Sequence, residues 1–258
     1  MTILNPYFGK QVVCRIAGII LLSVLVSFSL HAQRQKISQN LLWYYYNLTV
    51  QASDKWYWQW EVQERHYINP VAQHQLLLRG HVHRMLGVSG WEASAGFCYF
   101  LQNPNDPEAT VTLTVPELRP HIEVAYKQKL SKLTIDHRYR AEARFFRNTN
   151  DERTELTDGY DFGTYRLRYR IQATIPVLTF TEQQSLKIKI GDELHMNARG
   201  RPGTNVFDQN RIYGNLSMEC NKNFTVEAGY LNWYQQRTST EFYNRHIIQF
   251  TVAHKIEL

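Results

Sequence analysis

Six arginines fall in two short stretches of this chain, each on a single phase. In LTIDHRYRAEARFF, residues 133–146, Arg138, Arg140 and Arg144 alternate with His137, Tyr139, Ala141, Ala143 and Phe145. In TYRLRYRI, residues 164–171, Arg166, Arg168 and Arg170 alternate with Tyr165, Leu167, Tyr169 and Ile171. A guanidinium keeps its charge at any physiological pH and grips carboxylate or phosphate through two parallel hydrogen bonds. Ranked arginines therefore point to anion binding, to anion passage, or to an ion-pair network. Only Asp136 and Glu142 share the arginine phase of these two stretches. Burying the excess without partners costs several kcal/mol per ion, on the order of a whole mutation's effect, so the face is either wet or paired by acids from elsewhere. Polar phases in other stretches offer Glu61, Glu117, Glu123, Glu193 and Glu227 as partners, and add Arg211, Lys187 and Lys189 as further cations. The candidate ligand-contacting residues are Arg138, Arg140, Glu142, Arg144, Arg166, Arg168, Arg170, Glu193 and Arg211. A passive conduit or binding site for small acidic solutes and a structural, ion-pair-plugged interior both remain open.

Other chemistry is weaker. His81 and His83 share a face and have the spacing of two metal ligands, but no third ligand is placed, and no metal or other cofactor is expected. Asp136 and His137 are adjacent on an extended chain, so they point to opposite faces and cannot act together. His137 and His254 have no serine two residues away, yet loops could supply a nucleophile, so a lipid hydrolase or deacylase stays as an alternative.

The alternation that ranks the arginines is the period of β-strands. Residues 56–65 show it most clearly, with Trp56, Trp58, Trp60 and Val62 on one face and Tyr57, Gln59, Glu61, Gln63 and Arg65 on the other. Three tryptophans on one face need cover, and lipid would provide it. The pattern recurs at residues 75–85, 91–99, 117–124, 186–197, 211–219, 224–230 and 248–258, while residues 41–50 are aromatic with poor alternation. Pro176 is expected to end the second arginine strand, and a TVTLTV extension, residues 110–115, to sit in a long loop. Long connections at 102–115, 148–161, 199–209 and 236–244 alternate with short ones, as in outer-membrane barrels. The fold expected is all-β: one antiparallel up-and-down transmembrane barrel of about twelve strands, with ten as the alternative, since single-chain bacterial barrels carry even numbers. A soluble periplasmic ligand-binding barrel, apolar face inward, has the same period and remains the alternative.

Export supports the membrane reading. Lys10 and Arg15 precede an apolar run at residues 16–30, and Leu30-His31-Ala32 is a small-residue cleavage signal, so residues 1–32 are expected to be a cleaved signal peptide and 33–258 the barrel domain. The full chain has 29 Lys and Arg against 23 Asp and Glu; removing Lys10 and Arg15 leaves 27 minus 23, or +4. So modest a balance, spread over strands, does not suit nucleic acid. Cys98 and Cys220 are placed on opposite faces and are not expected to bridge. The expected location is the outer membrane of a Gram-negative cell, porin-like, with outer-membrane lipid and small anionic solutes as partners; oligomeric state is left open.

The chain also resembles the bacterial family catalogued as domain of unknown function 2490. The likeness rests on the Trp-rich first hairpin, Gly96-Phe97-Cys98-Tyr99, the run from Tyr139-Arg140 through Glu142 to Arg144, residues 165–170, 193–197 and 207–211, and Gly229-Tyr230-Leu231. It implies a small outer-membrane barrel and carries no activity or catalytic residue with it.

Overall fold

A computed structural model describes residues 35–87, 89–200 and 204–258; the expected cleavage position after Ala32 lies outside them. Period-two alternation becomes eleven strands among the described residues: β1 (Gln35–Gln51), β2 (Trp56–Tyr67), β3 (Ala72–Met85), β4 (Trp91–Gln102), β5 (Val115–Lys129), β6 (Thr134–Thr149), β7 (Leu156–Thr181), β8 (Gln184–Gly200), β9 (Phe207–Glu219), β10 (Phe224–Gln236) and β11 (Glu241–Glu257). Each consecutive pair is antiparallel, and the sheet closes on itself between β1 and β11.

Eleven is neither twelve nor ten, and the odd number has a geometric consequence. In an up-and-down meander β1 and β11 run the same way, so the seam is parallel. Its contacts step forward together: Arg245 Nε donates to Gln39 Oε1 at 2.7 Å, Tyr44 stacks on Phe250, Tyr46 Oη lies 3.1 Å from His254 Nδ1, and Leu258 N donates to Gln51 O at 3.1 Å. Parallel pairing hydrogen-bonds as completely as antiparallel pairing, so the barrel closes without an edge.

The two rims differ. Connections 52–55, 86–87 with 89–90, 130–133, 182–183 and 220–223 lie at one end with the C-terminus, and 68–71, 103–114, 150–155, 204–206 and 237–240 at the other. The alternation of short turns and longer loops holds, but all four expected long loops are shorter, chiefly because β7 starts at Leu156, β9 at Phe207 and β11 at Glu241, in residues whose polarity resembles loop. Within the TVTLTV stretch only Val115 is in a strand. Pro176 does not end β7. It sits at a register shift between Pro176 and Leu178, where its missing N–H disturbs only one ladder position, and the β7–β8 hairpin runs on past the last β6 partner, Thr174. In the short 86–90 turn Gly90 has φ +81°, and a Cβ there would lie 2.5 Å from the Lys127 carbonyl oxygen, so the position requires glycine.

Facing is the decisive feature. Arg140, Glu142, Arg166, Arg168 and Glu193 are buried, whereas Trp60 is 58% exposed, Ile122 65%, Leu167 51% and Leu216 55%. Apolar side chains thus coat the outside and charged ones fill the inside, the reverse of a lipocalin-like barrel. The inner face has one apolar sector, toward the loop end: Leu41, Trp43, Tyr67, Leu231, Trp233 and Ile247 form one cluster, and Leu77, Cys98 and Phe100 another. Cys98 and Cys220 are both free thiols.

Candidate functional site

β5 to β9 bring the charged residues onto one wall of the lumen. Glu117 receives Arg119 Nε at 2.6 Å and Arg144 Nε at 2.5 Å. Glu142 holds Arg166 Nη2 at 2.8 Å and Arg168 Nη1 at 2.7 Å. Glu193 takes Arg138 and, at 2.8 Å, Arg168 Nη2, while Glu123 accepts from Arg140 Nε at 2.7 Å. Asp208 completes the set at 2.9 Å from Arg166 Nη1. Of the six ranked arginines, Arg138, Arg140, Arg144, Arg166 and Arg168 are therefore ion-paired, and Arg170 is in no ion pair among the described residues. Two acids in register could not have done this. Glu117 and Glu123 come from β5, Glu193 from β8 and Asp208 from the start of β9, so strand neighbours supply what the local sequence lacks.

The apolar sector meets this wall through arginines. The Arg65 guanidinium lies 3.9 Å from the Trp43 ring centroid, Arg119 3.6 Å from Phe100, Arg211 4.7 Å from Trp233 and Arg245 4.3 Å from Trp233. Cation–π contacts of this kind gain strength when shielded from water. The 103–114 loop folds over the same end: Arg245 Nη2 donates to Asn105 Oδ1 at 2.9 Å, Gln39 Nε2 to Asn105 O at 2.7 Å, and Tyr67 Oη to Pro104 O at 3.2 Å. Between Arg65, Arg119, Arg166, Arg211 and Trp233 a cavity of only about 40 Å³ remains, room for a few waters.

The turn half is roomier. A cavity of about 360 Å³ reaches from Arg65 and Arg211 to Thr49, Thr251 and Ala253 near the turn rim, and one of about 300 Å³ adjoins it beside Tyr57, His83 and Asp136. The wall of the larger carries seven cations, Arg65, Arg79, Arg138, Arg168, Arg170, Lys189 and Arg211, against three carboxylates, Glu61, Glu193 and Glu227. It is a basic chamber by seven minus three, and it includes Arg65, which the alternation places on the polar face of its strand but which lies outside the two arginine-rich stretches that supplied most of the candidate site residues. Arg245 was missed: with Ile247 also pointing inward, β11 breaks the polar phase that would have revealed it.

A family profile described as "Protein of unknown function (DUF2490)" matches residues 40–244. The chain belongs to this DUF2490 family. The match spans β1 into β11, so the DUF2490 region covers nearly all the strands that build the lumen. No curated protein and no solved structure matches the chain.

The remaining candidates of this DUF2490 chain fall apart or into the wall. His81 and His83 stack inside the lumen at 5.3 Å between centroids, and His83 Nδ1 lies 2.6 Å from Glu92 Oε1. No group of three or more His, Cys, Asp or Glu among the described residues is arranged to hold a metal ion. Ser94 is the register partner of His83, yet its hydroxyl and His83 Nε2 each lack a hydrogen-bond partner, so the two are not engaged as nucleophile and base. Asp136 pairs with Lys127 at 3.7 Å while His137 turns outward to Tyr169 Oη at 2.9 Å.

Proposed function

We propose that the chain is an outer-membrane β-barrel, exported by residues 1–32, whose lumen is a blind-ended chamber that takes up small acidic solutes from the turn end. The observation that carries the membrane part is the inverted polarity: charged residues inside and Trp58, Trp60, Leu167 and Ile212 outside. A sheet with that outer face needs a hydrocarbon surround, and closed barrels satisfy their backbone groups there. The basic turn-half chamber supports anion entry, and the aromatic and ion-paired loop half supports a closed far end.

In this reading the five paired arginines are walls. They hold β5 to β9 together, and the solute meets the cations that the wall's own acids leave over. The test is fractionation of cells expressing the full chain: it should co-sediment with outer membrane, resist carbonate extraction and need detergent for release. A protein that appears in the periplasmic fraction and stays soluble without detergent sinks the membrane reading.

A second reading, a barrel filled for structure alone, is favoured by the density of ion pairs around Glu142 and Glu193. It expects no solute binding at all.

A further inference from the structure

Most charges of the turn-half chamber are already matched. Glu61 receives Arg79 Nη1 at 2.7 Å, Glu193 receives Arg138 and Arg168, and Glu227 receives Lys189 and, at 3.0 Å, the Ser217 hydroxyl. Three guanidiniums are left over. Among the described residues Arg65 donates only to the amides of Gln75 and Gln63, Arg211 only to Gln209, and no side-chain acceptor takes a hydrogen bond from Arg170. In all three the buried Nε–H donates to no atom among the described residues, and all three line the same 360 Å³ cavity. They come from β2, β7 and β9, so three different strands converge on one volume.

We infer that Arg65, Arg170 and Arg211 form a binding site for a small doubly charged oxyanion, a dicarboxylate or a phosphate ester. The inference rests on the chamber reading above and gives it a place and a ligand class. Like charges held in one cavity repel unless a counter-charge joins them; each carboxylate on this wall is already bonded to another cation, and Glu123 and Asp136, which act on Arg170 from the adjoining cavity, are engaged by Arg140 and Lys127. Guanidinium is suited to the task because its N–H groups form a rigid fork matched to two oxygens of carboxylate or phosphate. Two of the three are held in place from behind. Arg65 lies over Trp43 at 3.9 Å, and Arg211 lies 5.5 Å from Trp43 and 4.7 Å from Trp233. Asn47, Gln59 and Gln249 on the same wall offer neutral donors and acceptors for the rest of a solute, and the volume is that of a small-metabolite pocket. A single negative charge would leave most of the excess unmatched, which is why the class is a dianion.

The packing of Trp43 against Arg65 supplies a reporter. The full barrel, in detergent or in buffer, whichever form gives a β-sheet circular-dichroism spectrum, is titrated with inorganic phosphate and with succinate at constant ionic strength. Tryptophan fluorescence and thermal unfolding are read together. Saturable binding and a rise in melting temperature are expected with at least one probe; response to one alone tells tetrahedral from dicarboxylate preference. Arg170→Gln and Arg211→Gln should each weaken binding at least about tenfold, while Arg147→Gln, at the loop rim beside Asp158, binds as the wild type does. Should a glutamine variant not fold, Arg170→Lys and Arg211→Lys keep the charge, lose the fork, and carry the same expectation of weaker binding. A folded wild type that responds to neither probe, or variants that bind as tightly as wild type, overturns the site. Because folded protein is titrated in either medium, a failed fractionation test leaves this result standing on its own.

Discussion

Arg140 and Arg168 sit directly opposite each other in the β6–β7 register, and both reach one oxygen, Glu142 Oε1, at 3.6 Å and 2.7 Å. Like charges facing each other across strands destabilise a sheet. Here a carboxylate two residues along β6 turns the juxtaposition into a bridge, and Arg166 is held by the other oxygen of the same group at 2.8 Å.

Loss of that carboxylate should therefore be severe. Glu142→Gln leaves Arg166, Arg168 and Arg140 short of charge in a buried setting, with an expected cost of about 3–5 kcal/mol. Glu219→Gln, which breaks a partly exposed pair with Lys187 near the turn rim, should cost within about 1 kcal/mol. Urea unfolding of the two variants beside wild type measures the contrast, and equal costs would show that the network is not structural.

The outer face makes a medium-dependent prediction. Trp60 is 58% exposed on the outer surface. If lipid covers it, Trp60→Arg should cost about 2–4 kcal/mol when folding is measured in phospholipid vesicles. In water the same exchange would relieve an exposed apolar surface. Unchanged vesicle folding would mean that no hydrocarbon lies over β2.

The closed loop half predicts that wild-type protein gives no sustained current steps in planar bilayers. Trp43 and Trp233, packed edge to face at 5.6 Å, hold the centre of the apolar sector. The double variant Trp43→Ala/Trp233→Ala should open a conductive path while losing stability by about 3–5 kcal/mol for each indole removed. Steady wild-type currents would replace the blind chamber with a conduit.

Orientation can be read on whole cells. The connections 103–114, 150–155 and 237–240 share one rim, and 52–55, 130–133 and 220–223 share the other; outer-membrane barrels carry their longer loops outside the cell, which puts the first rim there. Added protease should cut within 150–155, where residues 151–155 are exposed, before any short turn. Cleavage confined to 52–55 or 220–223 would reverse the barrel.

Much of this was legible in the chain itself. Period-two alternation placed Arg138, Arg140, Arg144, Arg166, Arg168 and Arg170 on one face, put Trp58 and Trp60 on another, and marked the long and short connections, because successive residues of an extended chain must point to opposite sides. Where it blurred, at residues 41–50, the reason is now visible: Leu41 and Trp43 face inward and Tyr44 and Tyr46 outward, so both phases are apolar and the contrast vanishes. Alternation defines two faces but carries no sign of curvature, so only closure decided that the charged face is the inner one. Strand number is likewise a property of the closed sheet: the parallel β1–β11 seam joins residues about two hundred positions apart and leaves no local mark. The partner of each arginine belongs to the same class. Glu117 reaches Arg144 and Asp208 reaches Arg166 only because register and barrel curvature bring distant strands within hydrogen-bonding distance. Which guanidiniums remain without a carboxylate therefore could be decided only by the tertiary structure.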